Sequence, residues 1–258
     1  MLSSSSKRRK AMAMSIALTC LFMLLVCQRA QVFSRNDEFT SDLYVPQQQD
    51  GPLEIELVVA STKDEDTAWL QRHVPEWRKS IYIVDDTKAS PTVPKNKGRE
   101  AMVYITYIID HYDRLPSAII FLHASRFAWH NDDPDYDGLR TLRNFQVPYL
   151  QETGYVNLRC VWTIGCPAEI HPVEDEASAD PDDLTTKVVY KQDFQELMPE
   201  LPMPEVVAVS CCSQFGVTRD VVRSRSKEDY MRYRQWLLDT PLNDSLTGRI
   251  FEFSWHSK

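Results

Sequence analysis

Two histidines close neighbouring apolar and aromatic runs in the segment FLHASRFAWH, His123 after Phe121–Leu122 and His130 directly after Trp129. Imidazole changes charge near neutral pH, so either ring could act as a general base or ligate a metal. Asp132, Asp133 and Asp135 follow at once. With His123 and His130, Asp133 foremost among these acids could complete a set for a divalent ion such as Mn or Mg. Trp129 could stack on a sugar or another flat ligand. A hydrogen-bonded histidine at a strand end and a core tryptophan are the plain alternatives. The chain ends FEFSWHSK, which groups Glu252, Trp255 and His256. Glu252 could supply a catalytic carboxylate and Trp255 and His256 substrate contacts, set against ordinary terminal polarity.

Two further segments carry charge at places where elements begin or end. IYIVDD ends in Asp85 and Asp86, which could hold a ribose or a cation, or could form an ordinary acidic turn. NKGRE places Lys97 and Arg99 where a helix starts, a position that suits a diphosphate. The alternative is that Asn96 caps the helix and both cations are solvated.

Some chemistries are argued against. The seven glycines form neither G-x-G-x-x-G nor a phosphate-binding P-loop, so no NAD, FAD or haem cofactor is expected. There is no G-x-S-x-G nucleophile elbow. A net charge of −8 speaks against nucleic acid as a partner and leaves a small-molecule or glycan substrate.

The elements that must position these residues follow from periodicity. IELVVAS, IYIVDD and AIIFLH read as short buried strands, and DEDTAWLQRHV as a short helix between the first two. NKGREAMVYITYIIDHYDRLP reads as a helix with one apolar face, stopped before Pro116. This alternation predicts an α/β domain with a mainly parallel sheet. Ligands bind beyond the carboxyl ends of such strands, which puts Asp85, Asp86 and His123 on the ligand side. GYVNLRCVWTIGCP and EVVAVSCCSQFGVTRD read as further strands, and SKEDYMRYRQWLLDT as a helix with a Ser226/Asp229 capping box.

The N-terminus predicts a membrane address. Basic residues Lys7, Arg8, Arg9 and Lys10 precede an uncharged stretch over residues 11–27. As a helix it would span roughly 25 Å. The expected organisation is a cytosolic tail over 1–10, a signal anchor over 11–28, a stem over 29–52 and a lumenal domain over 53–258. That makes a single-pass type II protein of the endoplasmic reticulum or Golgi membrane, held by one N-terminal helix; a cleaved signal peptide and secretion are the alternative. In an oxidising lumen Cys160, Cys166, Cys211 and Cys212 predict two disulfides. A bond between adjacent Cys211 and Cys212 would be strained, so each is expected to reach Cys160 or Cys166. Asn243 in NDS is an N-glycosylation acceptor.

Taken together, NKGREAMVYITYIIDHYDRLP, FLHASRFAWH, GYVNLRC, CCSQFGVTR, YRQWLLDT and GRIFEFSWH resemble a fungal family known as a domain of unknown function, over roughly residues 54–256. More distantly the layout is similar to glycosyltransferases of the GT-A fold. That resemblance implies a single GT-A-like domain, a metal-binding acidic motif at a strand end, and an acceptor site near QFGVTRDVV. His123 and Ser125 stand where the acidic motif would fall, and the nearest acidic run, NDDPDYD, comes later. Three classes follow: a lumenal glycosyltransferase-like enzyme, a tailoring enzyme of fungal secondary metabolism of the cyclase or isomerase type, and a non-catalytic lumenal binding protein.

Overall fold

The computed structural model describes residues 53–159, 167–178 and 184–257. The expected tail, anchor and stem, and Cys160 and Cys166, lie outside the described residues. Among those described, no helix is long and apolar enough to cross a membrane.

The first half builds the frame of the site. β1 (Ile55–Ser61) leads through α1 (Ala68–His73) to β2 (Arg78–Ile83), and α2 (Ala101–His111) leads to β3 (Ala118–His123). Short elements α3 (Gly138–Arg143), α4 (Val147–Thr153) and β4 (Tyr155–Asn157) follow. Next come β5 (Ala168–Ile170), α5 (Pro172–Ala177), α6 (Thr186–Leu197) and β6 (Val207–Ala208). β7 (Phe215–Thr218), α7 (Arg219–Arg223), α8 (Lys227–Asp239) and α9 (Asp244–Glu252) complete the order.

The central sheet runs β2-β1-β3-β7-β4, and β5 pairs separately with β6. β1 pairs parallel with β2 and with β3, as the alternation of strands and helices requires. β7 is antiparallel to both β3 and β4, so the sheet is mixed rather than mainly parallel. The reversal has a local cause. No crossover helix separates β6 from β7; the chain turns through Ser210–Gln214 and enters β7 from the ligand end.

Strand alternation divides the core between the two faces of the sheet. Val58, Ile119 and Phe121 point to α2 and α8, while Leu57, Val59, Ile120 and Leu122 meet Trp69, Leu70, Leu139 and Leu142 on the other face. Residues Ala101 to Ile109 of α2 are all buried, because that helix lies between the sheet and α8. Each large aliphatic or aromatic side chain so buried contributes about 1.5–3 kcal/mol. α8 begins with the expected capping box: the Asp229 N–H donates to Ser226 Oγ, and the Ser226 N–H donates to Asp229 Oδ2 at 3.0 Å.

α1 and α2 therefore cover opposite faces, and β2 and β3 flank β1 on opposite sides. The carboxyl ends of β1 and β3 form the switch point at which open α/β sheets bind ligands.

One covalent expectation is corrected. Cys211 is bonded to Cys212, its neighbour, and not to Cys160 or Cys166. The chain makes this pairing with Cys212 and Ser213 both in the left-handed region, at φ 93° and 46°.

Candidate active site

A crevice of about 350 Å³ opens at the switch point, walled by Ser61 and Thr62 at the end of β1, by His123 and Ser125 at the end of β3, and by Arg99 and Glu100 before α2. His123 is the last residue of β3, and its side chain is 19% exposed. Its Nε2 is buried without a hydrogen-bond partner and lies 3.9 Å from Glu100 Oε1. Burial pushes the imidazole pKa down to about 4; nearby Glu65 opposes the shift and Arg99 adds to it. Contact with the Cys212 backbone also opposes it. Nε2 has no partner, so the Cys212 contact falls to the other side of the ring. Nε2 therefore faces Glu100 across the crevice wall.

Glu100 stands at the N-cap of α2 without a side-chain capping bond. Its side chain is 13% exposed, and burial raises its pKa, opposed by hydrogen bonds to its own backbone and to Ser213 and by the charge of Arg99. Glu252, at the end of α9, is also buried and raised, opposed first by Arg249, which donates to its Oε1 at 3.0 Å. A backbone hydrogen bond with Cys212 lowers Glu252 and the charge of Glu100 raises it. The two carboxyl groups therefore share one neighbourhood with Arg99, around the Cys211–Ser213 turn. A neutral imidazole beside the Glu100 carboxyl group, whose pKa is raised, is an arrangement able to take a proton from a hydroxyl and return it.

The approach of Arg99 depends on glycine twice. Gly98 has φ 69°, and a Cβ there would fall 2.6 Å from Leu237. A Cβ on Gly248 would fall 2.9 Å from the Arg99 side chain. Gly98 thus lets the turn before α2 pack on α8, and Gly248 leaves a channel along α9 for the guanidinium stem.

The second histidine comes from the loop after β3. Arg126 and Asp137 close this loop with two hydrogen bonds of 2.8 Å, and the Asn131 amide donates to the carbonyls of Arg126 and Tyr136. The His130 ring meets that of His123 edge-on at 4.6 Å. Burial lowers His130 to about 4, with His123, Arg159 and Arg99 adding to the effect. Trp129 is 58% exposed and packs on His130 at 4.2 Å, with the Arg159 guanidinium 5.2 Å from its indole.

Other expected site residues stand apart. β2 ends before Asp85 and Asp86; Asp85 accepts from the Lys63 N–H at 2.9 Å and Asp86 from the Lys88 N–H at 2.8 Å, so both brace turns. Lys97 is buried and donates to the Thr240 carbonyl at the end of α8, away from the crevice. Trp255 packs on Tyr104, Phe215 and Phe251 and donates to Ser213 Oγ at 3.3 Å. His256 faces a separate apolar cavity of about 50 Å³. Asn243 is exposed and caps α9, accepting from the Leu246 N–H at 3.0 Å.

The expected metal set does not assemble. Asp133 accepts from the backbone of Asp135 and Asp137 and pairs with Arg140. Among the described residues no group of three or more His, Cys, Asp or Glu side chains could hold a metal ion. The two imidazoles meet edge to face and do not converge with a carboxylate on one point.

Sequence reasoning passed over Glu100, Ser213, Gln214 and Arg159. An acid in a first helical turn is ordinary, so Glu100 gave no signal beyond its place beside Arg99 in NKGRE.

No curated protein matches the chain. A family model described as a protein of unknown function (DUF3431) matches residues 57–257, which include every wall of this crevice, and the chain belongs to that family.

Proposed function

We propose that the protein is a group-transfer enzyme of the glycosyltransferase type, acting on a hydroxyl of a polar acceptor in the crevice at the ends of β1 and β3. The observation that carries this reading is the unpartnered His123 Nε2 beside Glu100, with Arg99 on the same wall. In this mechanism the acceptor O–H gives its proton to Nε2 while its oxygen bonds the anomeric carbon of a donor. The bond from that carbon to the leaving phosphate breaks, and Arg99 meets the charge that develops. Glu100 orients the acceptor through a hydrogen bond, and Glu252, held by Arg249 behind the crevice wall, adds to the charge around Glu100. Trp129 at the mouth offers a ring to stack on a sugar. No step uses a divalent ion.

A second reading, an isomerase or cyclase without a sugar donor, is favoured by one observation. Burial favours the uncharged form of both His123 and Glu100, which suits a proton shuttle on a single substrate.

The test incubates the purified full chain with a panel of nucleotide sugars and simple polyol or glycoside acceptors, and follows release of nucleoside diphosphate. Acceptor-dependent release supports transfer. No release from any donor sinks the transferase reading and leaves the second reading or a binding role. In this account residues 11–28 hold the catalytic domain in the secretory lumen, which protease protection of intact microsomes checks.

A further inference from the structure

We infer that the Cys211–Cys212 bond is a reducible clamp on the crevice, opened by a dithiol reductant that thereby unsets the catalytic groups. The turn it closes touches every proton-handling group of the site. Cys212 meets His123 and Glu252 through its backbone, while Ser213 meets Glu100 and accepts from Trp255. Cys212 and Ser213 both hold positive φ without being glycine, a conformation that costs free energy unless something fixes it. The bond between the neighbouring side chains closes a ring that includes the Cys212 N–Cα bond and so holds that residue's φ, with Ser213 following directly. Once cut, the turn is free to leave the left-handed region, and the contacts it makes go with it.

The bond is also placed for exchange. Cys211 is only partly buried, and Arg159 Nη1 donates to both sulfurs, at 3.1 Å to Cys211 and 3.2 Å to Cys212. A thiolate of the dithiol attacks the Cys211 sulfur, the S–S bond breaks, and the Cys212 sulfur leaves as a thiolate beside a guanidinium that stabilises it. The second thiol of the reductant then displaces Cys211 and closes its own disulfide. Two electrons and two protons pass from the reductant to the two cysteines. Because Arg159 also lies over Trp129, freed sulfurs change the footing of the aromatic wall at the mouth. The inference depends on the proposed function only for its consequence on turnover, so its test avoids activity.

The full chain is treated under native conditions with dithiothreitol and then iodoacetamide; peptides are mapped, and histidine ring signals are titrated by NMR. The expected result is alkylation of both Cys211 and Cys212 after reduction, and of neither before it. On reduction the His123 midpoint should rise from about 4 towards its ordinary 6.5, because rehydration relieves the burial that dominates the shift and outweighs loss of the Cys212 contact that opposes it. Arg159→Gln should slow the reduction by about tenfold. A Cys211→Ser/Cys212→Ser protein should show the reduced His123 signal unaided, and if it does not fold, the reduced wild type carries the test. Three results would overturn the inference: either cysteine bonded to a different partner in the untreated protein, both resistant to dithiothreitol until unfolding, or both alkylated while His123 titrates unchanged.

Discussion

Gln214 ties the two histidines to one another. Its Oε1 accepts from the backbone N–H of His123 at 3.1 Å, while its Nε2 donates to Asn131 Oδ1 at 3.2 Å and to the His130 carbonyl at 3.4 Å. A single buried amide thus joins the end of β3, the entry to β7 and the loop that carries His130. Gln214→Leu should cost about 1–3 kcal/mol, because it leaves a buried N–H and a buried amide oxygen without partners. Urea unfolding measures this, and a change below about 0.5 kcal/mol would show that the clamp does not hold the loop.

Lys97 belongs to the packing of α2 on α8. Its ammonium donates to the Thr240 carbonyl, where a cation also meets the negative end of the α8 dipole. Lys97→Met should lower stability by about 1–2 kcal/mol and leave binding of nucleoside diphosphate unchanged. Lost nucleotide binding with unchanged stability would return this lysine to an anion site.

Asp193 gives the fold a pH signature away from the crevice. It is buried on α6, and burial, with Glu196 adding, raises its pKa from 3.8 to about 7. A carboxyl raised on folding contributes stability that is full below pH 3.8 and lost as pH climbs through 7, since the folded chain holds the proton longer. Asp193→Asn removes that loss. At pH 8 the variant should be more stable than wild type by about 2 kcal/mol, or roughly 5 °C in Tm, and near pH 4 the two should coincide. Equal melting at both pH values would show that Asp193 stays ionised in the folded protein.

Local pattern carried the first half of the fold. β-branched runs and an apolar helical face give β1, α1, α2 and β3, and with them the position of His123 at a strand end, while β2 runs over Arg78–Ile83 and shares only Ile81–Ile83 with the expected IYIVDD. The reversal of β7 was not legible, because FGVT reads alike in either direction and its orientation is set by the turn before it. That turn also hid the cysteine pairing. Sequence spacing says that neighbouring cysteines are hard to join, and it cannot announce two left-handed residues that are not glycine. Glu100 and Glu252 lie 152 positions apart and meet only because α9 packs across the start of α2, where Gly248 makes room for Arg99. β2 stops at Ile83, short of Asp85 and Asp86, and the helix after Lys97 starts only at Ala101, so backbone groups in turns and caps satisfy these residues first.

The most direct test of the account is His123→Ala, measured for thermal stability and acceptor-dependent nucleoside diphosphate release in the same preparation. Nε2 makes no hydrogen bond in the folded protein, so removing the ring forfeits its packing and its one contact with the Cys212 backbone. Stability should stay within about 1 kcal/mol of wild type. Turnover should fall by about 100-fold or more, the loss expected when a general base is removed. A variant that melts well below wild type, with activity falling only in step with the folded fraction, would make His123 a packing residue and place the chemistry elsewhere.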